Sequence, residues 1–284
     1  MPPPIRSATP TDWEAIAQLR AAVGWSVRRW TLDAFRPPVG AAWVAEVDGR
    51  VVGCGSGIVH GRIGIVGNMI VAPGHRRRGI GAAVLRQVLD FLEPRTETIE
   101  LNATSDGRPL YARFGFAPVS PYLSAGLPAG IGHRSAALSV EPWTDATALA
   151  AWDEPRFGGS RRSILAAAAE DPERPILVAR ARDARGSGDA RIAGYAVLRP
   201  LEAAIGPFVA DGSDAVAALL AAAGEREPSI DAWRITLPGD NAVAVAWLRR
   251  HGLPLEPHGM QMRLGAEPRR RIESIWGIGA GAIG

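Results

Sequence analysis

Val71 to Gly81 reads VAPGHRRRGIG, and the interpretation of the whole chain turns on this stretch. Ile65, Val66, Met69, Ile70 and Val71 before it are strand formers, and Pro73-Gly74 interrupts the strand. From Ile80 to Leu92 apolar residues then recur at helical spacing. The order is strand, turn, helix. A helix start leaves several backbone N–H groups unpaired and carries partial positive charge, and Gly79 and Gly81 let an anion come close to that backbone. Arg76, Arg77 and Arg78 add fixed charge beside it. The segment suits a bound pyrophosphate, although an arginine-rich turn before a helix also serves as a plain solvated cap.

Other glycine-rich phosphate loops do not fit. A dinucleotide-binding GxGxxG needs Gly or Ala where Val84 stands, and a P-loop needs Gly-Lys before Ser or Thr. The chain contains no lysine at all, which excludes a P-loop NTPase, a kinase with its strand lysine and a pyridoxal enzyme held through a Schiff base. What remains is Arg76-x-x-Gly79-x-Gly81 directly after a strand. It resembles the acetyl-CoA loop of the GNAT superfamily of N-acetyltransferases. About thirty residues on, Ile99 to Val119 reads IELNATSDGRPLYARFGFAPV, with a β-rich start and a helical middle. This resembles a second GNAT element, in which a strand is followed by a helix carrying Leu-Tyr and then a Gly-Phe turn. The matching residues are Leu110, Tyr111, Gly115 and Phe116.

The resemblance implies an α/β (α+β) fold with a mixed, mostly antiparallel central sheet flanked by helices, and acetyl-CoA as cosubstrate with no metal. In that family the pantetheine arm adds along one of two splayed central strands. Carried over, Met69, Ile70 and Val71 make those backbone contacts. The backbone of Arg77, Arg78, Gly79, Ile80, Gly81 and Ala82, with the Arg76 side chain, holds the pyrophosphate. Tyr111 protonates or hydrogen-bonds the departing thiolate, and Asn102 bonds the pantetheine amide unless it caps the following turn. A tyrosine in a short apolar helix is also an ordinary core residue. An acceptor amine must arrive neutral, so the site needs a base or a water path. Glu100 and His60 are the candidates, and each also reads as structural or solvent-facing. Acceptor recognition falls to Ala21 to Phe35, where Trp25, Trp30, Asp33 and Phe35 would suit an amine, although aromatics at helical spacing also read as core. Cys54 reads as a small buried residue, and GCGSG is no GxSxG elbow because Cys54 stands where glycine is required.

Composition bounds the rest. A chain of 284 residues accommodates two cores by the usual domain-size prior. The net charge of +3 is small, and the arginines lack an aromatic-interleaved basic stripe, so nucleic-acid binding is not required. The cluster Arg269 to Arg271 reads as a solvated segment. One cysteine excludes an internal disulfide and a CxxC metal site, no apolar run is long enough for a membrane span, and the N-terminus is no signal peptide, so a reducing cytoplasm fits.

An internal repeat divides the chain. Trp43 to Val59 matches Ile176 to Leu198, Ile70-Val71-Ala72-Pro73 matches Phe208-Val209-Ala210-Asp211, and Phe114-Gly115-Phe116 matches His251-Gly252-Leu253. From Val71 to Gly115 is 44 residues and from Val209 to Gly252 is 43, so the halves keep one pacing. Two tandem GNAT folds are expected, at 1–135 and 136–284, with Leu123 to Ser139 as the candidate linker, a stretch that can also hold the strand ending the first fold. The second has lost the loop, since Gly212-Ser213-Asp214-Ala215 replaces the arginines, and Leu248 replaces Tyr111. It resembles the degenerate second domain of bacterial tandem GNAT proteins, which would wall the acceptor pocket, stabilise the first domain or pair protomers as a homodimer. The expected activity is acetyl transfer from acetyl-CoA to a primary amine of a small molecule, or of a protein, by direct attack in a ternary complex. The alternative is a non-catalytic acyl-CoA sensor.

Overall fold

The computed structural model describes residues 3–25, 39–181 and 191–279. In chain order its strands are β1 (Ile5–Ser7), β2 (Gly40–Val47), β3 (Arg50–His60), β4 (Ile63–Val71), β5 (Thr98–Ala103), β6 (Ala117–Pro128) and β7 (Leu138–Pro142). They continue as β8 (Ile176–Ala181), β9 (Arg191–Arg199), β10 (Ala204–Ala210), β11 (Ala232–Pro238), β12 (Glu256–Gly265) and β13 (Ile275–Gly277). The helices are α1 (Trp13–Ala22), α2 (Ile80–Leu92), α3 (Arg108–Arg113), α4 (Ala146–Phe157), α5 (Arg162–Ala169), α6 (Ser213–Arg226) and α7 (Ala242–Arg250). Contacts group them into two units. Unit 1 takes its described residues from the stretch up to Val119 and from Gln261–Pro268, and unit 2 takes Ser120–Met260 with 269–279.

In unit 1 the strands run in the order β1-β2-β3-β4-β5-β12. Pairing is antiparallel from β1 to β4 and parallel between β4 and β5. Beside β5 the later part of β12 is fixed by side chains: Thr98 donates to the Ala266 carbonyl, and the Arg263 guanidinium pairs with Glu100 at 3.0 Å. Helix α2 is strongly amphipathic, and its buried Ile80, Val84, Val88 and Leu92 recur every fourth residue. They sit on glycines of β3 that recur every second residue. A Cβ at Gly53 would lie 3.1 Å from Ile80, one at Gly55 2.6 Å from Val84, and one at Gly57 3.1 Å from Leu92. The Gly-rich strand thus seats the helix against bare backbone. The 3-10 turn Pro10–Asp12 that leads into α1 carries a capping box in which Asp12 accepts from the Thr9 N–H at 2.8 Å, and Arg6 bridges Asp12 and Glu46.

Unit 2 repeats the plan in the order β6-β11-β10-β9-β8-β7, with β10 and β11 parallel and the other pairs antiparallel. Helix α6 covers a core that includes Leu127, Leu198, Phe208, Leu219, Trp233 and Trp276. The stretch expected as a linker, Leu123 to Ser139, is therefore partly sheet. Leu123 to Leu127 lie within β6 and pair with β11, because their alternating burial gives that strand an inner face. The turn between β8 and β9 lies outside the described residues.

Candidate functional site

The site begins with a local irregularity in β4. Ile70 pairs with Cys54 and Gly67 with Ser56, so β4 takes three steps where β3 takes two. The extra residue is a bulge at Asn68, whose φ is +52°. Asparagine tolerates this left-handed conformation better than most residues. Its side chain is buried and held at both ends: Oδ1 accepts from the guanidinium of the buried Arg20 of α1, and Nδ2 donates to Ser56 Oγ at 3.0 Å. Arg20, Asn68 and Ser56 escaped the sequence reading. Gly67-Asn68 inside a strand pattern was the available signal, since that pair favours a turn or bulge.

At the bulge the two central strands part. The pairing of β4 with β5 runs Ile63 with Thr98, Gly64 with Ile99 and Ile65 with Glu100, and no further, although β4 continues to Val71 and β5 to Ala103. Past the bulge Ile70 and Val71 pair with Cys54 and Gly53 of β3 on one side only, which leaves the other backbone edge of Met69–Val71 facing the split. On β5, just beyond the last pair, stands Asn102. Its Oδ1 is buried and has no hydrogen-bond partner among the described residues. A buried acceptor left unpaired is costly unless a ligand supplies the donor.

Past Val71 the chain makes a short 3-10 turn, Pro73–His75, and enters α2. Arg77 (φ +59°) and Gly79 (φ +80°) both take left-handed conformations, so the loop folds back on itself before the helix. No side chain caps α2 at Gly79. The first-turn N–H groups of Ile80, Gly81 and Ala82 therefore lack intrahelical acceptors by geometry. Arg76, Arg77 and Arg78 are exposed around them. Arg76 is oriented by Nε donating to the Val71 carbonyl at 3.2 Å, with Asp106 at 3.8 Å. Gly81 has room for a methyl group, whereas Gly79 is required by its φ.

Tyr111 lies on α3, buried, with its ring on bare backbone at Gly107, where a Cβ would come within 2.9 Å, and edge-on to Phe116 at 6.0 Å. Burial pushes its phenol well above the usual range, so it holds its proton at neutral pH. Glu100 is buried and ion-paired with Arg263. His60 is fully buried opposite Ile63, at the closed end of the β4–β5 pairing and away from the loop. Neither is solvent-facing. Cys54 is buried, and its thiol is pushed up to about 12 by burial, against the pull of Arg20. Of the acceptor-side candidates, Trp25 is 37% exposed and lies 5.9 Å from the Arg20 guanidinium, while Trp30, Asp33 and Phe35 fall outside the described residues. Among the described residues no group of His, Cys, Asp and Glu could hold a metal ion, and no helix is long and apolar enough to cross a membrane.

In unit 2 the cluster Arg269 to Arg271 is not simply solvated. Arg271 pairs with Asp211 at 3.4 Å and with Glu273 at 3.3 Å, and Arg270 lies over the Phe157 ring at 5.7 Å. Leu248, the counterpart of Tyr111, is fully buried in the core.

Comparison with known proteins agrees with this geometry. An acetyltransferase (GNAT) domain family matches residues 38–118, and a second acetyltransferase (GNAT) domain family matches residues 149–277. No curated protein matches the chain. Among solved structures, a candidate acetyltransferase from Pyrococcus horikoshii is 23% identical, with 99% of this chain and 95% of that one covered at a TM-score of 0.82. A tandem GNAT protein from the clavulanic acid biosynthesis pathway is 19% identical, with 93% and 99% covered at 0.63. A GCN5-related N-acetyltransferase from Sphaerobacter thermophilus is 16% identical, with 94% and 98% covered at 0.62. At these identities the structures speak for the fold. With a strand split, an uncapped helix start and two matched domains in succession, the chain belongs to the GNAT acetyltransferase superfamily, as two GNAT domains in tandem.

Proposed function

We propose that unit 1 is an N-acetyltransferase that moves the acetyl group of acetyl-CoA to a primary amine of a small molecule, by direct attack while both are bound. The observation that carries this reading is the split between β4 and β5, with the unpaired Asn102 Oδ1 beside it. A pantetheine arm has the amide N–H groups and the extended form to satisfy that edge, as an added strand does. Met69, Ile70 and Val71 offer backbone groups to it, and Asn102 accepts from one of its amides. The N–H groups of residues 77–82 and the arginines Arg76, Arg77 and Arg78 receive the diphosphate.

Acetyl-CoA would supply an activated thioester, and the remaining chemistry falls to side chains. Tyr111, kept protonated by burial, gives its hydroxyl proton to the departing thiolate sulfur. Glu100 is engaged by Arg263 and His60 sits at the closed end of the strand pair, which favours water as the acceptor's route for proton loss. Acceptor recognition is assigned to Trp25 and, on the sequence alone, to Trp30, Asp33 and Phe35. Unit 1 acts as the working domain of the tandem and unit 2 as the degenerate one, and the single buried thiol of Cys54 suits a reducing cytoplasm.

Calorimetric titration of acetyl-CoA into the wild type and Gly79→Glu tests the reading. Gly79 needs a left-handed φ, and a carboxylate there repels the diphosphate. One site per chain that Gly79→Glu abolishes supports it, and no binding to the wild type overturns it. Tyr111→Phe then separates an enzyme, which keeps binding and loses turnover, from a sensor, which keeps its full response.

A further inference from the structure

Unit 2 carries the same bulge as unit 1, at the same place. Ile205 pairs with Leu198 and Phe208 with Ala196, so β10 takes three steps against two of β9, around Gly206. Gly206 precedes Val209 by as many residues as Asn68 precedes Val71. The parallel pairing with β11 is recorded only at Ala204 with Arg234, before the bulge, and the strands then part. This is the counterpart of the cleft in unit 1, but it is full. Strand β13 lies in it, antiparallel to β10, with Gly277 opposite Phe208 and Ile275 opposite Val209. Those are the counterparts of Ile70 and Val71. On the far side the Ile278 N–H donates to the Thr236 carbonyl of β11 at 2.7 Å.

The groove fits this peptide closely. A Cβ on Gly206 would lie 2.0 Å from the Ile278 carbonyl oxygen, and one on Gly277 3.2 Å from Phe208. Counting from the paired residues, Ile235 stands where β5 has Asn102, and it is buried, so the orphan acceptor has become an apolar wall. Asn241 is fully buried. It caps α7 through Oδ1 and donates through Nδ2 to the Ile275 carbonyl at 2.9 Å. Trp276 is buried edge-on against Trp247 at 5.8 Å. At the helix start the charge is reversed. Where unit 1 presents three arginines, unit 2 presents Asp211, which holds Arg156 in a two-pronged ion pair, Arg271 at 3.4 Å and Ser274 Oγ at 3.2 Å. Partial burial pushes the Asp211 carboxyl up, but these donors, Arg156 foremost, leave it below its usual range.

We propose that the cleft of unit 2 is a peptide-binding groove which the chain fills itself: residues Arg271–Ile278 enter it, with a 3-10 turn at Ile272–Ser274 leading into the added strand Ile275–Gly277, are anchored by Asp211 and Asn241, and close this cleft to acyl-CoA. The ligand class is an extended peptide with a cation ahead of small and apolar residues. The inference rests on the geometry of unit 2 and stands whether or not unit 1 turns over.

Amide hydrogen exchange on the full chain, with and without saturating acetyl-CoA, tests it. Gly277, Ile278 and Val209 are expected to exchange as slowly as the core of α6, unaffected by acetyl-CoA, while protection rises only at 66–71 and 77–82. Asp211→Asn combined with Asn241→Ala should speed exchange at 275–278 at least tenfold and leave β5 unchanged. Exchange of 275–278 at loop rates in the wild type, release of that segment by acetyl-CoA, or a stoichiometry of two would each overturn the proposal. If the double variant loses all of unit 2, the wild-type comparison still decides. If acetyl-CoA alters exchange nowhere, the function proposed for unit 1 falls, and slow exchange at 277 and 278 still supports the filled groove.

Discussion

Replacing Gly55 by alanine adds one methyl group between β3 and α2. That Cβ would lie 2.5 Å from Met69 Sδ and 2.6 Å from Val84 Cγ1, where ordinary contact begins at 3.4 Å. The Met69 thioether can rotate away. Val84 cannot, because a β-branched side chain in a helix has one strongly preferred rotamer and this one is wholly buried. The helix itself must retreat by about 0.8 Å at that point. Overpacking of this kind costs about 1–3 kcal/mol, or about 3–9 °C in Tm for a unit of this size. It also has a functional arm. Val84 lies one turn into α2, so the N–H groups at the helix start move relative to Met69, Ile70 and Val71, and acetyl-CoA affinity should fall about tenfold or more. Gly126→Ala is the control, since nothing lies within 4 Å of a Cβ there. Scanning calorimetry and acetyl-CoA titration on both variants read the two arms. A Gly55→Ala protein with the Tm and the affinity of the wild type would refute the claim that bare backbone at β3 sets the height of the helix.

Tyr111→Phe should lower kcat by about 10²- to 10⁴-fold, the usual worth of a positioned acid, with acetyl-CoA affinity unchanged in equilibrium titration; an unaltered kcat would remove Tyr111 from the reaction. Asn102→Ala should be neutral or slightly stabilising without ligand, because it deletes a buried unpaired acceptor, yet weaken acetyl-CoA binding by about 1 kcal/mol; a melting curve and a titration on one sample show whether the signs differ. The hydrogen bond from Arg6 holds the Asp12 carboxyl down to about 2, so its contribution is complete above the unfolded value near 4 and fades as pH falls toward 2. Asp12→Asn should therefore cost about 1–2 kcal/mol at pH 7, after allowance for the exposed Arg6, and almost nothing near pH 2, as denaturant titration at both would register. Cys54, pushed up to about 12 and buried, should resist thiol reagents at pH 8 in the native protein and react once unit 1 unfolds; rapid native labelling would contradict its placement.

The loop at Arg76 to Gly81 and the helix of Tyr111 were legible because turn chemistry, glycine and helical periodicity are local signals. The repeat was legible for a similar reason, since both halves keep the same pacing from strand to Gly turn. What escaped was non-local. Arg271 looks solvated in sequence because its partner Asp211 is sixty residues away, and nothing in IESIWG announces a strand that fills a cleft. Gly53, Gly55 and Gly57 read as a weak strand until the helix that needs their bareness is in place. Glu100 could not be recognised as ion-paired, because Arg263 belongs to a strand far along the chain. The place of Asn102 at the end of the Glu100 strand is legible locally, but its unpaired oxygen depends on where β4 turns away.

Unit 1 contains Gln261–Pro268, and that membership sets a clock on synthesis. Glu100 meets an arginine 163 positions later, and Thr98 a carbonyl 168 positions later. At roughly 5–20 residues per second, a ribosome needs on the order of 10–30 s to deliver those partners. Throughout that interval β5 stands as a bare sheet edge, open to pairing with any other unfinished chain. Slower codons between 103 and 261 would lengthen the exposure, and aggregation during expression should track that delay more closely than the stability of the finished protein.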